Sequence, residues 1–227
     1  MTALTSIKSL RAAGGIILCM LASVAAGIEP ALTLPEPRRD SAFALERALS
    51  ERRSVREFRD TPLRFEELGQ LLWAAQGEVT RSGHRTAPSA GALYPLELFI
   101  VAGNVQNLAA GVYRYQPSLH GLAPLAKGDR RMQLVEAAWG QRWLAQAPAI
   151  LFIAAVERRT TAKYGTRGVR YVHLEAGHAA QNVLLQAVAL GLGATVLGAF
   201  SDTEVKAAAA LRDDEQPLYL IPVGRPR

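Results

Sequence analysis

Apolar residues recur at helical spacing in two early stretches. In "SAFALERALSERRS", residues 41–54, Phe43, Leu45, Ala48 and Leu49 share one face. "FEELGQLLWAAQG", residues 65–77, repeats the pattern with Leu68, Leu71, Leu72 and Ala75, and Gly77 closes it. A Gly/Ser/Pro-rich loop follows, "TRSGHRTAPSAGALYP" over residues 80–95, of the kind that sits on a surface or lines a site. The runs "LELFIVAG" and "GVYRYQP" then predict strands, and "LAPLAKGD" a turn-rich connection. "RRMQLVEAAWGQRWLAQ" predicts a helix and "APAILFIAAV" a buried strand. "GVRYVHLEAGHAAQNVLLQAVALGLG" predicts one long helix that ends at its glycines. "TVLGAF" reads as a short strand, "DTEVKAAAALR" as a helix and "QPLYLIPVG" as a last strand. Hairpin-like strands between long helices argue α+β rather than an alternating parallel sheet.

The N-terminus changes the picture of where the domain starts. Lys8 and Arg11 precede the apolar run "AAGGIILCMLASVAAG", and small residues suited to cleavage surround Ala25 and Ala26. Residues 1–27 therefore read as a signal peptide or N-terminal anchor, giving an exported, periplasmic or membrane-anchored protein. A start at Met20 would leave a cytoplasmic one. The Pro-rich stretch 28–40 reads as a linker, and 41–227 as a single domain.

Composition excludes more than it suggests. The chain has 227 residues, 49% of them hydrophobic and 20% charged, with a net charge of +6, ordinary values for one globular domain. Its basic residues are nearly all arginine, scattered rather than striped, so nucleic-acid binding is not indicated. The single cysteine, Cys19, lies in the apolar N-terminal run, which rules out an internal disulfide and a cysteine metal site. No G-x-G-x-x-G, Walker, G-x-S-x-G or H-E-x-x-H pattern occurs.

Four places could carry chemistry. "ERRSVREF", residues 51–58, crowds Arg52, Arg53 and Arg56 around Ser54. It suits either a solvated charge run or a phosphate grip, because guanidinium forks bind phosphate bidentately. In "TAPSAGALYP", Pro88 fixes the chain while Ser89, Ala90 and Gly91 leave room for a flat ligand; a loop with Ser89 as helix cap is the alternative. Lys163 and Tyr164 stand together, as either a proton-transfer pair or a surface lysine beside a packing aromatic. Tyr171, Glu175, His178 and Asn182 form one helical stripe better suited to hydrogen bonding than to a metal, while His84 and His120 read as isolated and exposed.

The order of these motifs along residues 45–227 closely resembles the nitroreductase superfamily, in particular its SagB/ThcOx-type flavin-dependent dehydrogenases. The carriers are "RRSVREF", "RTAPSAGALYPLELFIV", "GVYRY", "KYGTRGVRYVHLEAGHAAQNVLLQAVALGLGATVLGAF" and "PLYLIPVGRPR". The resemblance implies an α+β homodimer whose mostly antiparallel sheet is flanked by helices, with FMN at the interface. It implies that Arg52, Arg53, Ser54 and Arg56 hold the FMN phosphate and ribityl chain, with Arg225 and Arg227 returning to it. Pro88, Ser89, Ala90 and Gly91 would pass beside the ring, and Leu197 and Gly198 would approach its N5 edge. Where relatives often carry Asn and Gln in the loop, this chain has Ala92 and Tyr94.

Lys163 and Tyr164 match the pair that azoline-oxidising members place beside the flavin. The implied activity is transfer of a hydride between a small-molecule or peptide substrate and flavin N5. An NAD(P)H-dependent nitroreductase or quinone reductase, with NAD(P)H as co-substrate, and a non-catalytic flavin-binding protein are the alternatives. No metal is implied.

Overall fold

The computed structural model describes residues 31–227; the reading of residues 1–27 as a signal or anchor lies outside them. Among the described residues no helix is long and apolar enough to cross a membrane. The chain opens with β1 (Leu32–Thr33), then α1 (Leu45–Glu51) and α2 (Phe65–Gln76). After the Pro88 loop come β2 (Leu96–Ala102), β3 (Gly111–Gln116) and β4 (Gly121–Lys127). Next follow α3 (Arg131–Ala137), β5 (Ala149–Ala155), α4 (Arg158–Tyr164) and α5 (Arg167–Ala189). β6 (Gly193–Ala194), α6 (Asp202–Ala208) and β7 (Gln216–Gly224) complete it.

The strands form one sheet in the order β1-β4-β3-β2-β5-β7-β6, and every pairing is antiparallel. Side chains alternate across it with period two. Leu98, Ile100, Leu151 and Ile153 face one core together with Leu68, Leu71, Leu72, Val172, Ala176 and Val183 of α2 and α5. Phe99, Val101, Ile150 and Phe152 face a second core with Leu134 of α3 and Val205 of α6. β2 and β5 are therefore buried on both faces, with α2 and α5 on one side of the sheet and α3 and α6 on the other.

Four expectations about the elements are corrected. "LAPLAKGD" is strand, not connection: β4 pairs along β3, and Pro124, which has no N–H to give, sits opposite Tyr113 where the register shifts. The stretch 130–146 is not one helix, because α3 stops before Trp139 and Gly140, both at positive φ, and a 3₁₀ segment follows at Arg142–Gln146. In "TVLGAF" only Leu197 pairs, with Leu220, while the strand itself, Gly193–Ala194, ends just before the stretch begins. The linker reading fails for residues 32–38. β1 pairs with β4, Leu34 is buried, and Gln70 brackets Arg38 by accepting from its N–H at 2.8 Å and donating to its carbonyl at 3.0 Å. His120 is likewise not free: one ring nitrogen meets Tyr115 Oη at 2.9 Å and the other the Pro35 carbonyl at 2.9 Å.

Candidate functional site

Two clusters form, one at each end of α5. At its C-terminal end the "RRSVREF" stretch lies against β6. Ser54 bridges Ala194, the Val55 N–H donates to the Ala194 carbonyl at 3.1 Å, and Gly193 admits the Val55 side chain where a Cβ would sit 2.7 Å from it. The C-terminal tail closes the other side. Arg59 N–H donates to the Arg225 carbonyl at 2.9 Å, and Arg227 donates from its backbone to Glu57 and from Nε to the Phe58 carbonyl.

The structure thus brings the first arginine motif and the last residues together across almost the whole chain. Arg53, Ser54 and Arg56 are exposed and Arg52 half-buried. Among the described residues, no carboxylate pairs with Arg52, Arg53 or Arg56, whereas Arg47, Arg64, Arg114, Arg131, Arg158 and Arg212 all have one. Arg56 instead lies over the Trp143 ring, 5.8 Å from its centroid. Three unpaired guanidiniums and a free hydroxyl make a donor set suited to a doubly charged phosphate.

Arg225 differs. Its guanidinium already donates to the Leu190 carbonyl at 2.9 Å and to the buried carboxylate of Glu67. It ties the tail to α5 and α2. Leu197 and Gly198 lie further along β7, where Leu197 and Leu220 exchange backbone hydrogen bonds at 2.8 and 2.9 Å. Gly198 is exposed beside the Tyr219 ring.

The second cluster gathers at the N-terminal end of α5. Gly91 has φ +65°, and Ala92 and Tyr94 also lie at positive φ, which bends residues 88–94 tightly. Ser89 is not a helix cap; its Oγ accepts from the Tyr94 N–H at 2.9 Å. A Cβ on Gly91 would stand 2.8 Å from Tyr164 Oη and 3.1 Å from Lys163 Nζ. Glycine is therefore what lets the loop and the lysine–tyrosine pair meet. Lys163 and Tyr164 end α4, with Nζ 5.4 Å from the ring centroid, and Tyr171 of α5 packs edge-on against Tyr164 at 5.2 Å. Pro88 is exposed, and Ala90 half-buried.

Beneath the loop, Glu175 faces Ser89. Burial pushes its carboxyl up to about 7, against the hydrogen bond from Ser89 and the charge of Arg85. One carboxylate oxygen has no partner. His178 of the same stripe is exposed and turned away, while the Asn182 amide reaches the Thr86 carbonyl at 3.5 Å.

Arg85 and Tyr171 escaped sequence reasoning. Arg85 opens the motif "RTAPSAGALYPLELFIV", but nothing in the sequence gives it a role; in the fold it stacks on Tyr94 with its Cζ 4.5 Å from the ring centroid. Tyr171 was seen as part of a stripe, but nothing in its spacing paired it with Tyr164.

The profile of the Nitroreductase family matches residues 49–225. The chain belongs to the nitroreductase family. It is 46% identical over 181 residues to "Putative nitroreductase MJ1384" of Methanocaldococcus jannaschii, covering 80% of this chain and 90% of that one. It is 32% identical over 129 residues to the Microcin B17-processing protein McbC of Escherichia coli, covering 55% of this chain and 47% of McbC.

Among solved structures, a protein of Ralstonia eutropha, also named a putative nitroreductase, superposes with TM-score 0.76 at 33% identity, covering 88% of this chain and 91% of its own. The E. coli microcin synthetase McbBCD complex with truncated pro-MccB17 superposes with TM-score 0.67 at 26% identity, covering 88% and 79%. The protein is accordingly an enzyme of the nitroreductase fold, a flavin-dependent oxidoreductase.

Proposed function

We propose that this enzyme is an FMN-dependent oxidoreductase of the SagB/ThcOx type, oxidising an azoline-like ring in a small molecule or peptide. The observation that carries the reading is the convergence of Lys163 Nζ and Tyr164 Oη on Gly91, in a loop that turns tightly at Gly91, Ala92 and Tyr94. Arg52, Arg53, Ser54 and Arg56 hold the phosphate, with Arg227 beside them, while Arg225 fixes the helix end that supports them. Pro88 to Gly91 lie along the ring, and Leu197 and Gly198 border it. When bound, FMN supplies the two-electron redox chemistry.

The protein's own part is proton transfer and orientation. Oxidising an azoline ring to an azole removes a hydride, which the flavin would take, and a separate proton, which in this reading leaves by way of Tyr164 Oη and Lys163 Nζ. Tyr171, edge-on against Tyr164, keeps the phenol from swinging away.

The two clusters lie at opposite ends of α5. Ser89 faces Glu175, fourteen positions before α5 ends at Ala189, about 21 Å along the helix from the arginine motif. In this reading a second copy of the chain supplies the loop that faces each phosphate grip.

The test is Lys163→Ala. The variant is expected to bind FMN with the flavin spectrum of the parent and to lose turnover of an azoline-containing peptide; full activity would reject the pair's role. A second reading, an NAD(P)H-dependent nitroreductase, is favoured by the 46% identity to MJ1384. Mixing the oxidised enzyme with NADPH, NADH or an azoline peptide in a stopped-flow instrument separates the two: the true electron donor is the one that bleaches the flavin.

A further inference from the structure

A cavity of about 290 Å³ opens beside the Pro88 loop, between the ends of β2 and β3 and the start of α4. Its wall includes Gln76, Arg85, Glu97, Arg114, Gln116 and Arg159. Three buried polar atoms without a hydrogen-bond partner belong to these residues: Nε2 of Gln76, Nε of Arg85 and Oε1 of Gln116. Gln76 is only 1% exposed, so its idle N–H group is costly unless something meets it.

The charges around the cavity are unevenly spent. Arg114 donates to Glu97 at 2.8 Å and to Glu215 at 2.6 Å, and Arg159 pairs with the other oxygen of Glu97. Among the described residues Arg85 has no ion pair. One of its amino groups donates to Gln76 Oε1 at 3.2 Å, and its plane rests on Tyr94. Burial pulls its guanidinium below its ordinary value even though Glu78 and Glu97 are near enough to raise it. A half-buried arginine without a carboxylate is the strongest anion-binding group in the cavity.

The ligand's chemistry follows from these groups. The unpartnered Nε–H of Arg85 and amide N–H of Gln76 call for an oxyanion. Glu97 on the wall, with Glu215 behind Arg114, disfavours a dianion, so a monovalent carboxylate fits better than phosphate. The unpartnered Gln116 oxygen calls for a hydrogen-bond donor close to that carboxylate. Leu96, Leu98 and Leu119 complete a partly apolar lining.

We propose that this cavity binds a carboxylate with an adjacent N–H donor, the group shared by a free amino acid and the carboxyl-terminal residue of a peptide. Its bound carboxylate pairs with Arg85 and Gln76. Arg159 lies one helical turn before Lys163 and donates to the Tyr94 carbonyl at 3.0 Å, which places the subsite next to the lysine–tyrosine pair. Use of the subsite as a substrate anchor rests on the flavin reading, whereas binding itself does not.

Calorimetric titration of the purified full chain tests it with N-acetylglycine, glycine, N-acetylglycinamide and inorganic phosphate. N-acetylglycine or glycine is expected to bind, and the tighter of the two identifies a peptide terminus or a free amino acid as the source. N-acetylglycinamide, which lacks the charge, and phosphate should bind at least about tenfold more weakly. Arg85→Gln should cost a similar factor and Arg85→Lys should restore part of it.

No heat with either carboxylate, equal binding of the neutral amide or of phosphate, or unchanged affinity in a folded Arg85→Gln would each overturn the proposal. Should Arg85→Gln not fold, the acid-against-amide comparison on the unaltered chain decides alone. Flavin absorbance recorded on the same samples separates the two readings, since a colourless protein that still discriminates acid from amide counts only against the flavin.

Discussion

Glu175 is 3% exposed and carries an unpartnered carboxylate oxygen beneath the Pro88 loop. Burial holds its proton on up to about pH 7, well above the usual carboxylate range. In the unfolded chain the same group ionises near its ordinary value. Between those two values the folded chain binds the extra proton, so stability falls as pH rises through this window and levels off above about 7. The full cost of the ionised, buried group is of order 3 kcal/mol. Glu175→Gln keeps the shape and still has Ser89 to meet, without the charge. It is expected to raise the melting temperature at about pH 8 and to lose that advantage by about pH 5. Thermal unfolding at the two values checks this; a gain equal at both would show that Glu175 is not the titrating group.

At the scale of elements, one clamp sets the C-terminal half of the fold. Arg225, just past β7, reaches Glu67 of α2 and the carbonyls of Leu190 and Gly191 at the end of α5. Glu67 is 1% exposed and also accepts from the Arg64 backbone at 3.1 Å and from its guanidinium at 2.8 Å. Arg225→Ala leaves that buried carboxylate half-paired and is expected to cost about 3 kcal/mol in urea unfolding. Arg225→Lys should recover only part, because a point charge cannot serve helix carbonyls and carboxylate together.

No sequence pattern announces this clamp, since its partners are 158 positions apart. The elements that were legible obey a single local rule. α2, α5, β2 and β5 bury regular faces, and their apolar spacing says so. β4 was not legible because Gly121 and Pro124 mask it, and only the β3 ladder makes it a strand. The motifs at 52–56, 88–91 and 163–164 were visible as residues. Their grouping, with Gly91 under Lys163 and Tyr164 but far from Ser54, depends on tertiary packing that spacing does not encode.

For the whole molecule, the proposed function makes assembly part of the chemistry, because the two clusters lie apart along α5. A single chain offers the Arg52, Arg53 and Arg56 motif at one end and the loop with Lys163 and Tyr164 at the other. In the proposed dimer, two-fold pairing would bring one copy's loop to its partner's arginine motif and complete two sites at once. The surface suited to such pairing includes Leu45 and Leu49 of α1, one helical turn apart and 60% and 54% exposed, and Leu174 of α5 at 53%. These leucines leave more than half of their surface exposed, so changing them should spare the fold and strike the assembly. Leu45→Glu combined with Leu49→Glu is expected to turn the protein from dimer to monomer in sedimentation and, in the same step, to weaken FMN binding severely, with helix content unchanged by circular dichroism. A folded monomer that still binds FMN as tightly as the parent would mean that one chain holds the flavin alone, and the phosphate grip would then have to find its ring contacts on its own side of α5.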